Sequence, residues 1–192
     1  MKYKRIILKL SGEALQGDDG ILNHQKLSSV AKIVKDIHDA GVDVGIVVGA
    51  GNIWRGRLAE AIGIEQSTGD YMGMLGTIIN ALAIQSAVEQ QGVTCKVMSS
   101  INVNQVCEPY IRRKALHHLE RGEVVIFAGG TGNPYFTTDT TATLRGLEVG
   151  AEAILMAKNG RRKKHIAMQT ANLHRECFST EKLEYYVESR GR

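Results

Sequence analysis

EVVIFAGGTGNPYFTTD, residues 123–139, is the stretch whose reading decides the fold. Its first six residues read as a buried strand, and a helix can open near Thr138. Between them, GGTGNPYFTTD at 129–139 places three glycines, one proline, three threonines and an aspartate where a strand end, a turn and a helix N-terminus meet. Parallel α/β sheets bind anions at that kind of junction. Glycines admit positive φ and close backbone approach, and threonine hydroxyls and free N–H groups donate to phosphate oxygens. Asp139 adds the only fixed negative charge of the stretch. A carboxylate beside a phosphate site makes sense when a metal ion or a cationic side chain lies between them. The other reading is an ordinary strand-to-helix loop with Gly-Asn-Pro turn chemistry.

Outward from this stretch the chain alternates strands and helices. YKRIILKL at 3–10 fits a buried first strand ending in the turn SGE. From Leu27 through Val30, Ala31, Val34 and Ile37 the apolar spacing is helical, and Gly41 is a stop signal. VDVGIVV at 42–48 is the second strand and feeds GAGNIWRG at 49–56. The pattern predicts a long helix from about Asp70 to Gln91 and a strand at 93–98. A basic-surfaced helix over 110–121 follows, and beyond the central stretch come a helix over 138–149 and a strand at 151–157. The order indicates a three-layer α/β/α sandwich with a mainly parallel sheet. Past Lys158 no apolar period can be assigned, RRKKH at 161–165 reads as a solvated basic run, and the sheet would end on an exposed apolar edge unless the tail or a partner covers it.

The composition excludes several classes. No apolar run approaches bilayer length, and the N-terminus turns polar too soon for a signal peptide, so the expectation is a cytoplasmic protein with no membrane partner. Cys95, Cys107 and Cys177 are widely spaced, with no CxxC pair, which argues against a disulfide framework or a zinc site. The net charge of +4 is uneven: residues 1–157 hold 15 Lys+Arg against 16 Asp+Glu, and residues 158–192 hold 9 against 4. Nucleic-acid binding would rest on the tail alone, whose basic run lacks interleaved aromatics, and none is expected.

Three polar turns, KLSG at 9–12, GAGN at 49–52 and GGTGNPYFTTD, project from one edge of such a sheet and can converge. None matches the GxxxxGK[ST] loop, and GAGNIW is not GxGxxG. Lys9 and Arg55 facing glycine-lined cradles would suit phosphoryl transfer, in which positioning and charge supply most of the catalysis. Each also reads as a surface cation, Lys9 snorkelling from a strand end and Arg55 on a loop. Asp70, preceded by Gly69 at the expected helix boundary, reads as an N-cap of the long helix, with hydrogen bonding to sugar hydroxyls as the alternative. The histidines are not expected to cluster with carboxylates, and His117 and His118 are read as structural, as is Trp54.

YKRIILKLSGEAL, VVGAGNIWRG, GDYMGMLGTIINALA and GTGNPYFTTDTTATLRGLE resemble the matching segments of bacterial uridylate (UMP) kinases, within the amino acid kinase fold family. The likeness runs from residue 3 to about 159. It implies transfer of phosphate from ATP to UMP, giving ADP and UDP with Mg²⁺, in pyrimidine nucleotide biosynthesis. It also implies a homohexamer with GTP and UTP as effectors. By the same resemblance Lys9, Leu10, Ser11 and Gly12 would line the ATP phosphates with Gly51 and Arg55. Ala50, Asn52 and Asp70 would contact UMP, Asp70 through the ribose. Thr131, Gly132, Asn133, Pro134, Tyr135, Phe136, Thr137 and Thr138 would wrap its base and phosphate. Lys9, Arg55 and Asp139 would serve the reacting centre, with no protein-held metal.

Three departures stand out. The family's second turn usually reads GGGN, and Ala50 adds a methyl group there. The loop DDGILNHQ at 18–25 departs from a GFGID-type stretch. After AILMAKNG the family's VDGVY…DP segment and adenine-binding half are replaced by an unrelated sequence. The expectation is therefore a kinase-like domain over 1–159, shortened on its ATP side, and a poorly ordered basic tail over 160–192 produced by a frameshift near Gly160. A truncated remnant that only binds UMP is the alternative to an active kinase.

Overall fold

A computed structural model describes residues 3–18, 20–157 and 174–178. The elements are β1 (Arg5–Leu10), α1 (His24–Asp39), β2 (Asp43–Val48), α2 (Gly56–Ala61), α3 (Gln66–Gln90), β3 (Cys95–Ser99), β4 (Glu108–Pro109), α4 (Arg112–Glu120), β5 (Val124–Ala128), α5 (Thr138–Val149), β6 (Ala153–Ala157) and β7 (His174–Phe178). Seven strands form one sheet in the order β4-β3-β5-β2-β1-β6-β7. All six pairings are parallel.

The strands are apolar almost throughout because both faces are covered, and their period of two sorts the side chains between two cores. Ile6, Leu8, Leu10, Val44, Ile46, Val48 and Ile126 point to the layer of α1 and α3. Ile7, Val47, Val125, Phe127, Ile154 and Met156 point to the layer of α4 and α5. The three-layer α/β/α expectation is thus met.

Helix ends follow local chemistry. The Asn23 side chain caps α1 by accepting from Lys26 N–H at 3.1 Å. Thr137 caps α5 by accepting from Thr140 N–H at 3.1 Å, and Gly150 closes it at φ +68°.

The structure corrects several sequence expectations. Helix α3 begins at Gln66, so Asp70 lies inside it rather than capping it. Gly69, which reads as a helix boundary, is a packing glycine: a Cβ there would sit 2.7 Å from the Ala59 methyl of α2. By length and composition α3 could cross a membrane, although the sequence pattern counted no such run. Its inner face, including Met74, Ile78, Ala81, Ile84 and Val88, is instead buried against the sheet. Helix α2 had no forecast. No element was assigned past Lys158, yet His174–Phe178 lies in register beside β6, so the β6 edge is covered by the chain itself. The basic run RRKKH and the rest of the forecast for the tail lie outside the described residues.

Candidate active site

The adjacent order β5-β2-β1 sets Ala128, Val48 and Leu10 side by side, and the three polar turns leave from those strand ends. The first two turns interlock. A Cβ on Gly12 would lie 2.3 Å from Asn52 Oδ1, 2.7 Å from Gly51 N and 2.8 Å from Gly49 O, so only glycine fits. The third turn joins them through the N-terminus of α5: the Lys9 ammonium, 9% exposed, pairs with Asp139 at 2.9 Å. Lys9 is therefore a buried cation with a carboxylate partner, not a strand-end lysine reaching for water. Beside it Ser11 Oγ is buried without a hydrogen-bond partner among the described residues. Buried hydroxyls normally find a partner, so an orphan of this kind marks a position that an incoming acceptor can complete.

Next to this cluster lies a cleft of about 300 Å³. One wall comes from the second turn and α3: Ala50, Gly51, Trp54, Asp70, Met74 and Thr77. The other comes from the third turn and α5: Gly130, Thr131, Asn133, Phe136, Thr137, Thr138 and Thr141. The glycine-rich wall admits a ligand close to the backbone, and the threonines offer hydroxyl donors.

The predicted residues do not all meet in this cleft. Ala50 has no positive φ, since Tyr135, at +71°, is the only non-glycine residue with one among the described residues. Its methyl faces Gly76 of α3, where an added Cβ would stand 2.9 Å away. The departure from GGGN is thereby accommodated. Asn52 is committed elsewhere: its amide exchanges two hydrogen bonds with Asn80, at 3.0 and 2.8 Å, and donates to Ile21 O at 2.7 Å. Leu10 is a core side chain. Arg55 folds back over the second turn, donating to Gly51 O at 3.0 Å and pairing with Glu13 at 2.8 Å on the surface. Asp70 accepts from Tyr135 N–H at 2.7 Å, fastening the third turn to α3 across the mouth of the cleft. Gly132 is pressed on Ser100, with 3.0 Å left between a Cβ and Ser100 O. Gly132, Pro134 and Tyr135 belong to the turn but not to the cleft lining. Tyr135 is 66% and Phe136 59% exposed.

Sequence reasoning missed four polar side chains that hold the site. Thr77 Oγ1 accepts from Gly129 N–H at 2.9 Å and donates to Met74 O at 2.7 Å. Asn80 Nδ2 donates to Gly49 O at 2.8 Å. Thr141 Oγ1 donates to Thr137 O at 3.1 Å. Arg145 is buried beneath the third turn. Thr77 and Asn80 could have been found as polar residues on the apolar face of α3. His118, far from the cleft, does sit between carboxylates, with Nδ1 2.6 Å from Glu123 and Nε2 3.4 Å from Glu108. The expectation that the histidines avoid acids is corrected there. Trp54 packs along Gly69 and Gly73 on the cleft wall, with its Nε1 buried and unpartnered among the described residues.

Burial pushes the Cys95 thiol up to about 12. The Tyr110 phenol is raised as well, first by burial and then by its bond to Glu148. Neither is available as a nucleophile near neutral pH, and among the described residues no His, Cys, Asp and Glu group is arranged to hold a metal ion.

Known proteins resemble this chain in sequence and fold. A model of the Amino acid kinase family matches residues 4–160. Uridylate kinase of Pediococcus pentosaceus is 58% identical over 161 residues, 83% of this chain and 67% of the relative. Uridylate kinase of Limosilactobacillus reuteri is also 58% identical, with the same coverage. Among solved structures, UMP kinase from Bacillus anthracis superposes with a TM-score of 0.81 at 42% identity, covering 88% of this chain and 70% of that one. UMP kinase from Ureaplasma parvum gives 0.80 at 38%, covering 84% and 68%. With a family match over most of its length, and relatives at this identity that carry the same fold, the chain belongs to the amino acid kinase family.

Proposed function

We propose that this chain transfers the γ-phosphoryl group of ATP to UMP, giving ADP and UDP. The observation that carries the reading is the ion pair of buried Lys9 with half-buried Asp139, 2.9 Å apart, where three glycine-rich or polar turns meet beside the cleft. Phosphoryl transfer spreads charge over the migrating oxygens and asks for fixed cations and N–H donors rather than a protein nucleophile. Lys9 supplies a cation whose direction is set by Asp139. Ser11 Oγ and the backbone of Gly12 and Gly51 supply donors to the ATP phosphates. Asp70 and the turn from Thr131 to Thr138 face UMP, and Asn52 acts through the turn it braces, its side chain being committed to Asn80. The UMP phosphate oxygen attacks in line, so no covalent enzyme intermediate is needed.

Mg²⁺ enters with ATP as part of the substrate. The phosphates and waters would hold it, Asp139 being the carboxylate in place to assist, and it would neutralise charge on the phosphates. Arg55 reaches the phosphates by leaving Glu13, an exposed pair worth at most about 1 kcal/mol. Assembly as a homohexamer and control by GTP and UTP belong to the same reading.

A second reading, a UMP-binding remnant without turnover, draws on the family match ending at residue 160, with every described cleft residue before that point. A coupled assay of ADP release from ATP, UMP and Mg²⁺, run on purified chain of verified mass, tests the two. UMP-dependent turnover is the expected result. UMP binding without turnover in a folded chain supports the remnant, and absence of both removes the proposal.

A further inference from the structure

Beneath the third turn lies a polar assembly that meets the cleft only from behind, at the backbone of Gly130. Arg145 of α5 is 3% exposed. Its guanidinium carbon stands 3.8 Å from the centroid of the Tyr110 ring. One terminal nitrogen pairs with Glu148. The other donates to Ser100 Oγ at 2.8 Å and reaches Gly130 O at 3.5 Å. Ser100 Oγ in turn donates to Gly130 O at 2.9 Å, and Tyr110 O–H donates to Glu148 at 2.6 Å. Arg145 Nε has no hydrogen-bond partner among the described residues.

A buried ion pair with one unmet donor is a poor stabiliser, since desolvation offsets much of its attraction. What this one does supply is direction. The turn it reaches runs through Gly129, Gly130 and Gly132 at φ +71°, +59° and +84°, the most permissive backbone in the site. Glycines in such a conformation have many alternatives; within the turn Gly132 N–H donates to Gly129 O at 3.0 Å and Asn133 N–H to Thr131 Oγ1 at 3.2 Å, and contacts from outside add to these. Thr77 holds the turn from the α3 side at Gly129 N. From the opposite side, Arg145 and Ser100 hold it at the carbonyl of Gly130, which lines the cleft together with Thr131.

We infer that Arg145 is a positioning residue, which through Ser100 and Gly130 sets the conformation of the 129–133 turn and thereby the affinity for UMP. The inference rests on the proposed function for its ligand but not for its geometry. Arg145→Lys keeps the charge beside Glu148 and loses the reach to Ser100 and Gly130 together with the planar stacking on Tyr110. Ser100→Ala removes the relay with little change in volume, and serves if Arg145→Lys does not fold.

Calorimetric titration with UMP and with ATP, alongside amide hydrogen exchange, tests the assignment in the full chain. The UMP dissociation constant should rise about 10-fold in Arg145→Lys and about 3-fold in Ser100→Ala, while that for ATP changes less than about twofold. Exchange at residues 129–133 should quicken by similar factors, with the amides of β1 and β2 unchanged. Turn exchange equal to wild type in both variants would overturn the inference, as would equal acceleration in turn and strands. If the wild-type chain binds no UMP, the functional reading falls by itself, and the exchange data still decide the role of Arg145.

Discussion

The two rims of the site differ in how their polar groups are committed. On the 129–138 rim, Gly129 N, Gly130 O, Tyr135 N and Thr140 N are tied to Thr77, Ser100, Asp70 and Thr137 respectively. On the 9–12 rim, a buried lysine leans on one carboxylate and a buried serine hydroxyl has no bond among the described residues. The first rim is held by contacts within the protein, whereas the second leaves a serine hydroxyl with capacity for a further partner. The difference teaches which groups tolerate change: damage to the contacts of the first rim should spread into stability, and loss of the Lys9 charge from the second should show mainly in activity.

Lys9→Met is the sharpest way to test that division. Removing one preorganised charge from a transferring phosphoryl group should lower kcat by about 10²–10³-fold. UMP affinity in titration should stay within about twofold if the rims are independent, and a parallel loss of UMP binding would merge them. Gly12→Ala attacks the joint between the first and second turns. With 2.3 Å to Asn52 Oδ1, the added methyl should cost about 1–3 kcal/mol and lower Tm by several degrees in a thermal melt. Thr77→Val keeps the shape and removes the acceptor for Gly129 N–H, a loss of about 1–3 kcal/mol that denaturant unfolding can measure.

The smallest expected effect is a pH dependence that ignores both rims. The Cys95 thiol is raised from 9.0 to about 12 by burial, and Tyr110 shifts in the same direction. Above about pH 9 the unfolded chain gives up the Cys95 proton while the folded chain keeps it, so the stability from that group is complete below pH 9 and is lost as pH rises toward 12. Melting curves between pH 8 and 11 should fall steadily in wild type and less steeply in Cys95→Ala, both taken relative to their values at about pH 8.

Most of the framework was legible because it rests on apolar runs and end signals. The reading of α5 as 138–149 matches the observed Thr138–Val149, where a threonine cap and a left-handed glycine frame the helix. The start of α3 was misplaced because Gly69 carries the same letter whether it ends a helix or lets another helix approach it. Asn52 sits in a turn that reads as ligand-facing, and its partner Asn80 is distant in sequence, so nothing local reveals that the two amides pair. Arg145 and Glu148 have the i,i+3 spacing of an exposed helical ion pair, and only the approach of Tyr110 and Ser100 buries the arginine. The strand at His174–Phe178 has no apolar period to announce it, and its place is set by the free edge of β6.

The central position of β1 has a consequence for how the molecule is made. β1 is made before the other described strands, and on one side it finds β2 early. On the other side Ile6 pairs with Ala153, so that flank of an apolar strand waits until nearly the whole described domain has left the ribosome. At synthesis rates of about 5–20 residues per second, the wait lasts on the order of ten to thirty seconds. Non-local parallel pairing is slow to form, and an open strand edge is a template for other chains. Until β6 arrives, the second flank of residues 5–10 is thus an open edge, and a chaperone that shields it would keep it from pairing with other chains.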